Sequence, residues 1–279
     1  MYIISKSKVN KAINQFIEKE EENKDGVIYP TVPEENREFM EQFLQRFYRS
    51  FESLFKDKTC AQDIFCSRLI KISAVRFDDK DQNLMPLKIA FDDMKETCKD
   101  KLDGGLLMPE FRHGIVLLDM DFLTHSKAEA MHTLIHELLH ALSVYPIKKD
   151  GKMCFKSGIN RNGRAFNKLN EGVIECVSQL MWSKMFKNKK CPGIGRYAKE
   201  VKAAQVVMSK FDSTQQFIED YFVCASVLEA QMKDMKNIDG KSLFNFLKSF
   251  DNENFEDIKI QQKFLKEIEN YNCELIVKK

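Results

Sequence analysis

Histidine and tryptophan are scarce in this chain, with five and one among 279 residues, so a site built on imidazoles can draw on very few positions. Its eight cysteines are scattered, with no C-x-x-C pair and no dense disulfide framework, the pattern expected of buried or free thiols in a reducing compartment. An excess of either charge is lacking as well. Lys plus Arg total 44 against 42 Asp plus Glu, so bulk charge gives no case for binding nucleic acid or an anionic membrane. No run approaches the roughly 20 apolar residues of a membrane span, and MYIISKSKVNKAINQF lacks the basic, apolar, small-residue order of a signal peptide. The expectation is a soluble cytoplasmic protein, with export by a signal-less route left open. Repeats, low-complexity tracts and Pro/Gly/Ser-rich linkers are absent too. What is present is length and apolar content: 43% hydrophobic residues can supply the core of one large domain or two smaller ones.

The first twenty-odd residues read as a helix ending in the solvated run EKEEENKDG. Pro33 then opens a helix in which Phe39, Phe43, Phe47, Phe51 and Phe55 recur every fourth residue, a stripe suited to core packing. LIKISAVRF, from Leu69 to Phe77, is β-branched and apolar enough for a strand, and a helix is expected from Pro86 to about Lys101. After Asp103-Gly104-Gly105, the segments LLMPE and GIVLLDM read as a hairpin, with Pro109 suited to an edge position. Nearly everything after Ser126 looks helical, apart from a short hairpin around Lys149 to Ile159. The fold class predicted is α+β: a small mixed or antiparallel sheet with helices, leading into a mainly helical C-terminal part. Its three parts are an N-terminal helical region (1–68), an α+β part carrying the hairpin (69–145) and a helical part (146–279).

Ser126-Lys127-Ala128-Glu129 has the form of a capping box, and AMHTLIHELLHALS behind it contains no helix breaker. His136 and His140 are therefore one helical turn apart, with both imidazoles on one face about 6 Å from each other, able to take two corners of a zinc tetrahedron. Glu137 is rotated about 100° from His136, beside a metal so held and not on it. There it can take a proton from water that the metal activates for attack on a carbonyl. Chance alone would produce H-E-x-x-H in about one such chain in a hundred, and the competing reading is a pair of histidines that only cap or pair within a core helix.

A second signal follows in LNEGVIE, which opens another helix with Glu171 and Glu175 on one face. Catalytic zinc commonly takes two histidines and a glutamate and keeps a fourth position for water, and Glu171 fits that vacancy. Glu175 could accept the ring N–H of a liganding histidine and fix its tautomer. The alternative is that both carboxylates lie on an exposed helix face.

HELLH followed by LNEGVIE resembles the gluzincin metallopeptidases, the thermolysin-like clan, in a compact form; the resemblance covers about Gly105 to Trp182. It implies a zincin-like active-site helix, a Zn2+ cofactor and hydrolysis of peptide bonds. It also implies that GIVLLDM is an edge strand on which a peptide or protein substrate adds as a further strand. Related enzymes support the oxyanion with a Tyr or His from the helical region after the glutamate; no histidine follows His140, so Tyr197 is the preferred candidate, with Tyr221 the other. His132 shares the face of His136 but stands about 12 Å from His140, too far for one zinc to bind both, and is expected at the helix surface. His113 and His125 read as exposed loop residues. Asn160 and Asn162 could line a cleft, though turn chemistry explains them as well. Three functions stay open: a general zinc peptidase, a regulatory peptidase with one intracellular target, and a catalytically silent zinc-containing binding module.

Overall fold

The computed structural model describes residues 2–22, 28–30, 32, 34, 37–70, 73–75, 105–108, 115–118, 127–149, 152–159, 166–250, 257–269 and 271. These are mainly helical with small sheets, the coarse α+β class expected. They divide into two compact units: residues 1–53, 57–142 and 181–192, and residues 54–56, 143–180 and 193–279.

In the first unit, α1 (Tyr2–Ile17) buries Val9, Ile13 and Phe16 and packs on α2 (Arg37–Glu52) and α3 (Lys58–Leu69). Phe43, Phe47 and Phe51 of α2 are buried as their four-residue spacing predicts, and Phe47 meets Phe65 of α3 at 6.2 Å between ring centroids. α2 ends at Glu52, so Phe55 lies beyond the helix yet is fully buried as a core residue, whereas Phe39 at the other end of the stripe is exposed. Asp57 caps α3 by accepting from the Thr59 and Cys60 amides at 2.9 and 3.2 Å, leaving those orphan donors satisfied. Glutamates 20–22, taken as part of a solvated helix end, instead form a strand, β1 (Glu20–Glu22), antiparallel to β2 (Ile28–Pro30).

A three-stranded sheet follows. β3 (Ser73–Val75) pairs parallel with β5 (Ile115–Leu118), and β4 (Gly105–Met108) pairs antiparallel with β5 on its other side. The hairpin of β4 and β5 is the one expected, but its second strand is central: Ile115–Leu117 pair on both sides, so among the described residues the sheet ends at β3 and β4. The strand expected over 69–77 is described only at 73–75, and Leu69 belongs to α3. The helix expected over 86–101 lies outside the described residues, as do Ser126, His113, His125, Asn160 and Asn162. α4 (Lys127–Leu142) packs on α3, β4 and β5, and the Arg68 side chain donates to the Leu142 carbonyl, satisfying one acceptor left open at its C-terminus.

The second unit begins with the hairpin of β6 (Val144–Lys149) and β7 (Lys152–Ser157), longer than predicted because Pro146 is tolerated in a ladder that has only two strands among the described residues. α5 (Asn167–Met185) starts in this unit, followed by β8 (Ile194–Tyr197), α6 (Ala198–Met208), α7 (Thr214–Cys224), α8 (Ser226–Asp234), α9 (Leu243–Phe250) and α10 (Ile258–Glu269). Val173, Ile174 and Val177 of α5, Ala204 and Val207 of α6, and Phe217, Tyr221 and Phe222 of α7 are all buried in it. Gly172 of α5 lies directly against the backbone of α6. A Cβ there would stand 2.5 Å from the carbonyl carbon of Glu200 and closer still to its oxygen, so only glycine permits this approach of two backbones. An ion pair of 2.5 Å joins half-buried Lys156 of β7 to buried Glu229 of α8.

Candidate metal centre

α4 carries its polar residues in an apolar setting. Leu134, Ile135, Leu138, Leu139, Ala141 and Leu142 are buried, and so are His132, His136, Glu137 and His140. From His132 to Leu142 every residue of the helix is buried, and His132 is not the surface residue expected: its ring stands edge-on to the indole of Trp182, 6.1 Å between centroids. Burial of three imidazoles costs free energy unless their nitrogens are used.

His136 and His140 use theirs on each other's side. Their Nε2 atoms are 3.1 Å apart and their rings are inclined at 62°. Two nitrogens bound tetrahedrally to one zinc at about 2.0–2.1 Å would be about 3.3 Å apart, so the pair already approximates one edge of that tetrahedron. The same separation also fits a hydrogen bond between two rings in complementary tautomers.

Glu171 completes the group. The ligand atoms of His136, His140 and Glu171 all lie within 4.8 Å of one another. Two imidazoles and one carboxylate form a nitrogen and oxygen set suited to zinc that leaves a coordination position for water, unlike a closed four-cysteine structural site. The residues fit the metal that the sequence implies.

Glu175, one turn beyond Glu171, is 0% exposed and accepts a 2.8 Å hydrogen bond from Gln179 Nε2. It is not on the exposed helix face that the alternative reading required. Next to it, burial pushes the Cys176 thiol up to about 12, with the Glu175 charge adding to the shift.

The two tyrosine candidates differ. Tyr197 is half-buried immediately before α6, and its backbone is left-handed (φ 48°, ψ 30°), a conformation that a bulky non-glycine residue rarely adopts without a local reason. Tyr221 is fully buried and donates its hydroxyl to Asn170 Oδ1 at 2.5 Å. Burial, with the Glu171 charge second, raises its pKa well above the usual tyrosine range, so it stays a protonated donor. A hydroxyl committed to Asn170 is not available to a substrate. Sequence reading had no signal for this contact, which joins residues 51 positions apart.

Among the described residues, no helix is long and apolar enough to cross a membrane. Comparison with known proteins yields no matching family model, no matching curated protein and no matching solved structure.

Proposed function

We propose that this chain is a zinc-dependent peptidase of gluzincin type, with α4 as a zincin-like active-site helix. The observation that carries the reading is the convergence of two buried imidazoles and one carboxylate, His136, His140 and Glu171, to within 4.8 Å. These three would hold the metal. Zinc bound there would supply Lewis acidity toward a carbonyl and lower the pKa of a bound water to about 7.

The chain's own residues account for the remaining chemistry. Glu137 follows His136 on the same helix and is nearly buried, an environment in which a carboxylate can hold a proton taken from water and return it to the leaving amine. Glu175, fully buried one turn after Glu171, is suited to orient a liganding imidazole. Tyr197 is the candidate donor to an oxyanion, and its left-handed backbone is the observation that sets it apart from a packing tyrosine. A peptide substrate would add as a strand to β4, the end of the sheet whose other neighbour is β5.

The test is Glu137→Gln. It should keep zinc and lower turnover of a peptide mixture by at least about a hundredfold, within the range that general-base catalysis contributes. A second reading, in which the 3.1 Å contact of His136 and His140 is a hydrogen bond in a binding module, is favoured if neither the natural chain nor the variant binds zinc or cleaves peptide.

A further inference from the structure

Glu171 sits between two neighbours that are each held by the protein interior. On one side, Gly172 lies against the backbone of Glu200 with no room for a methyl group. On the other, Asn170 is buried and accepts the Tyr221 hydroxyl at 2.5 Å. Ser143 joins the same cluster through Gly158. Ser143 is fully buried, its Oγ is 2.9 Å from Ser157 Oγ, and its carbonyl accepts from the Gly158 amide at 3.1 Å. Gly158 itself is left-handed (φ 50°), and a Cβ on it would stand 2.6 Å from Asn170 Oδ1 and closer still to the Tyr221 hydroxyl. The chain thus leaves space for one phenolic oxygen against Asn170 and Gly158, with Ser143 and Ser157 as their polar neighbours.

The chain positions of those partners matter. Ser143 comes three residues after His140, and Asn170 comes one residue before Glu171. A network whose only task was to stabilise the fold could sit anywhere in the core; this one fixes the backbone beside two of the three residues that converge.

We propose that Tyr221 and Asn170 are positioning residues for the metal centre: the buried hydroxyl of Tyr221 fixes the first turn of α5 through Asn170, and so fixes where Glu171 presents its carboxylate. This rests on the zinc reading above. Tyr221 touches neither metal nor substrate in this role. It removes freedom from Glu171 before the metal arrives, as outer partners of metal ligands do.

The experiment measures zinc affinity of the full chain by competition with a chromophoric chelator, and stability of the metal-free chain by urea denaturation. The variants are Glu171→Ala, Tyr221→Phe and Asn170→Ala, with Asn170→Asp as the conservative replacement that still accepts the hydroxyl. Tyr221→Phe and Asn170→Ala should each weaken zinc binding by about 10- to 100-fold. Their double variant should be no weaker than the worse single one, because each removes the same bond. Asn170→Asp should recover most of the affinity, and the visible spectrum of the cobalt-substituted chain should change in Tyr221→Phe and return in Asn170→Asp. If Tyr221→Phe lowers the urea midpoint but binds zinc within twofold of the natural chain, its role is structural and the proposal is overturned. Glu171→Ala separates the two levels: if it keeps zinc, the metal-centre reading itself fails, whereas if it loses zinc while Tyr221→Phe and Asn170→Ala keep it, only the positioning role fails. Should Tyr221→Phe not fold, Asn170→Ala with Asn170→Asp decides the matter, since the ring stays in place.

Discussion

Gly172→Ala sets two physical effects against each other with opposite signs. Gly172 is inside α5, and replacing a helical glycine by alanine ordinarily stabilises by about 0.5–1 kcal/mol, because alanine has less backbone freedom to lose. Here the added Cβ would fall 2.5 Å from the Glu200 carbonyl carbon, where real Cβ contacts do not go below 3.0 Å. Both obstructing atoms are main chain, at the start of α6, so no side chain can rotate away. At least half an ångström of separation between two packed helices is needed, and overpacking of that kind costs about 1–3 kcal/mol. The upper part of the range applies because neither side can yield alone. The net expectation is a loss of about 1–2 kcal/mol in urea denaturation of the metal-free chain, with an unchanged dependence on urea. Since Glu171 precedes Gly172, zinc affinity should fall as well. A variant as stable as the natural chain, or more so, would refute the close approach of α5 and α6.

Lys156→Met leaves the Glu229 carboxylate buried without its cation and should cost about 3–5 kcal/mol, while pairing it with Glu229→Leu should restore most of that stability, as read by thermal unfolding. Cys176 should resist alkylation at pH 8 in the folded chain, because a thiol with a pKa of about 12 is thiolate in only about one molecule in ten thousand there, and should label once urea unfolds the protein. The same shift has a consequence for stability. An acid whose pKa rises on folding is still protonated in the native state when the unfolded chain has released its proton, so this thiol's contribution is intact below about pH 8.5 and declines as pH climbs from there toward 12. Urea midpoints of the natural chain and Cys176→Ala should therefore converge as pH rises through that window.

The helix of His136 and His140 was legible because a spacing of four residues states a geometry by itself: one turn, one face, two rings within reach. The same logic put Glu171 and Glu175 together on α5. Pairings between distant segments were less legible. Glutamates 20–22 became a strand through pairing with residues 28–30, which no local propensity of EEE announces. The apolar run GIVLLDM told of a strand but not of how many neighbours it has, and β5 proved to lie between β3 and β4. His132 was placed at the surface because its own face gives no account of Trp182, fifty residues on. The bond between Asn170 and Tyr221 left no local trace, since each sequence context reads as ordinary helix and the bond exists only after folding.

The proposed metal centre is tested most directly by the zinc content of the purified chain beside that of His136→Ala and Glu171→Ala, determined by elemental analysis after gel filtration. Two imidazoles and a carboxylate acting as one donor set predict about one zinc per natural chain and a loss of it in each variant. Undiminished zinc in both variants, or none in the natural chain after incubation with a slight excess of the metal, would contradict that set.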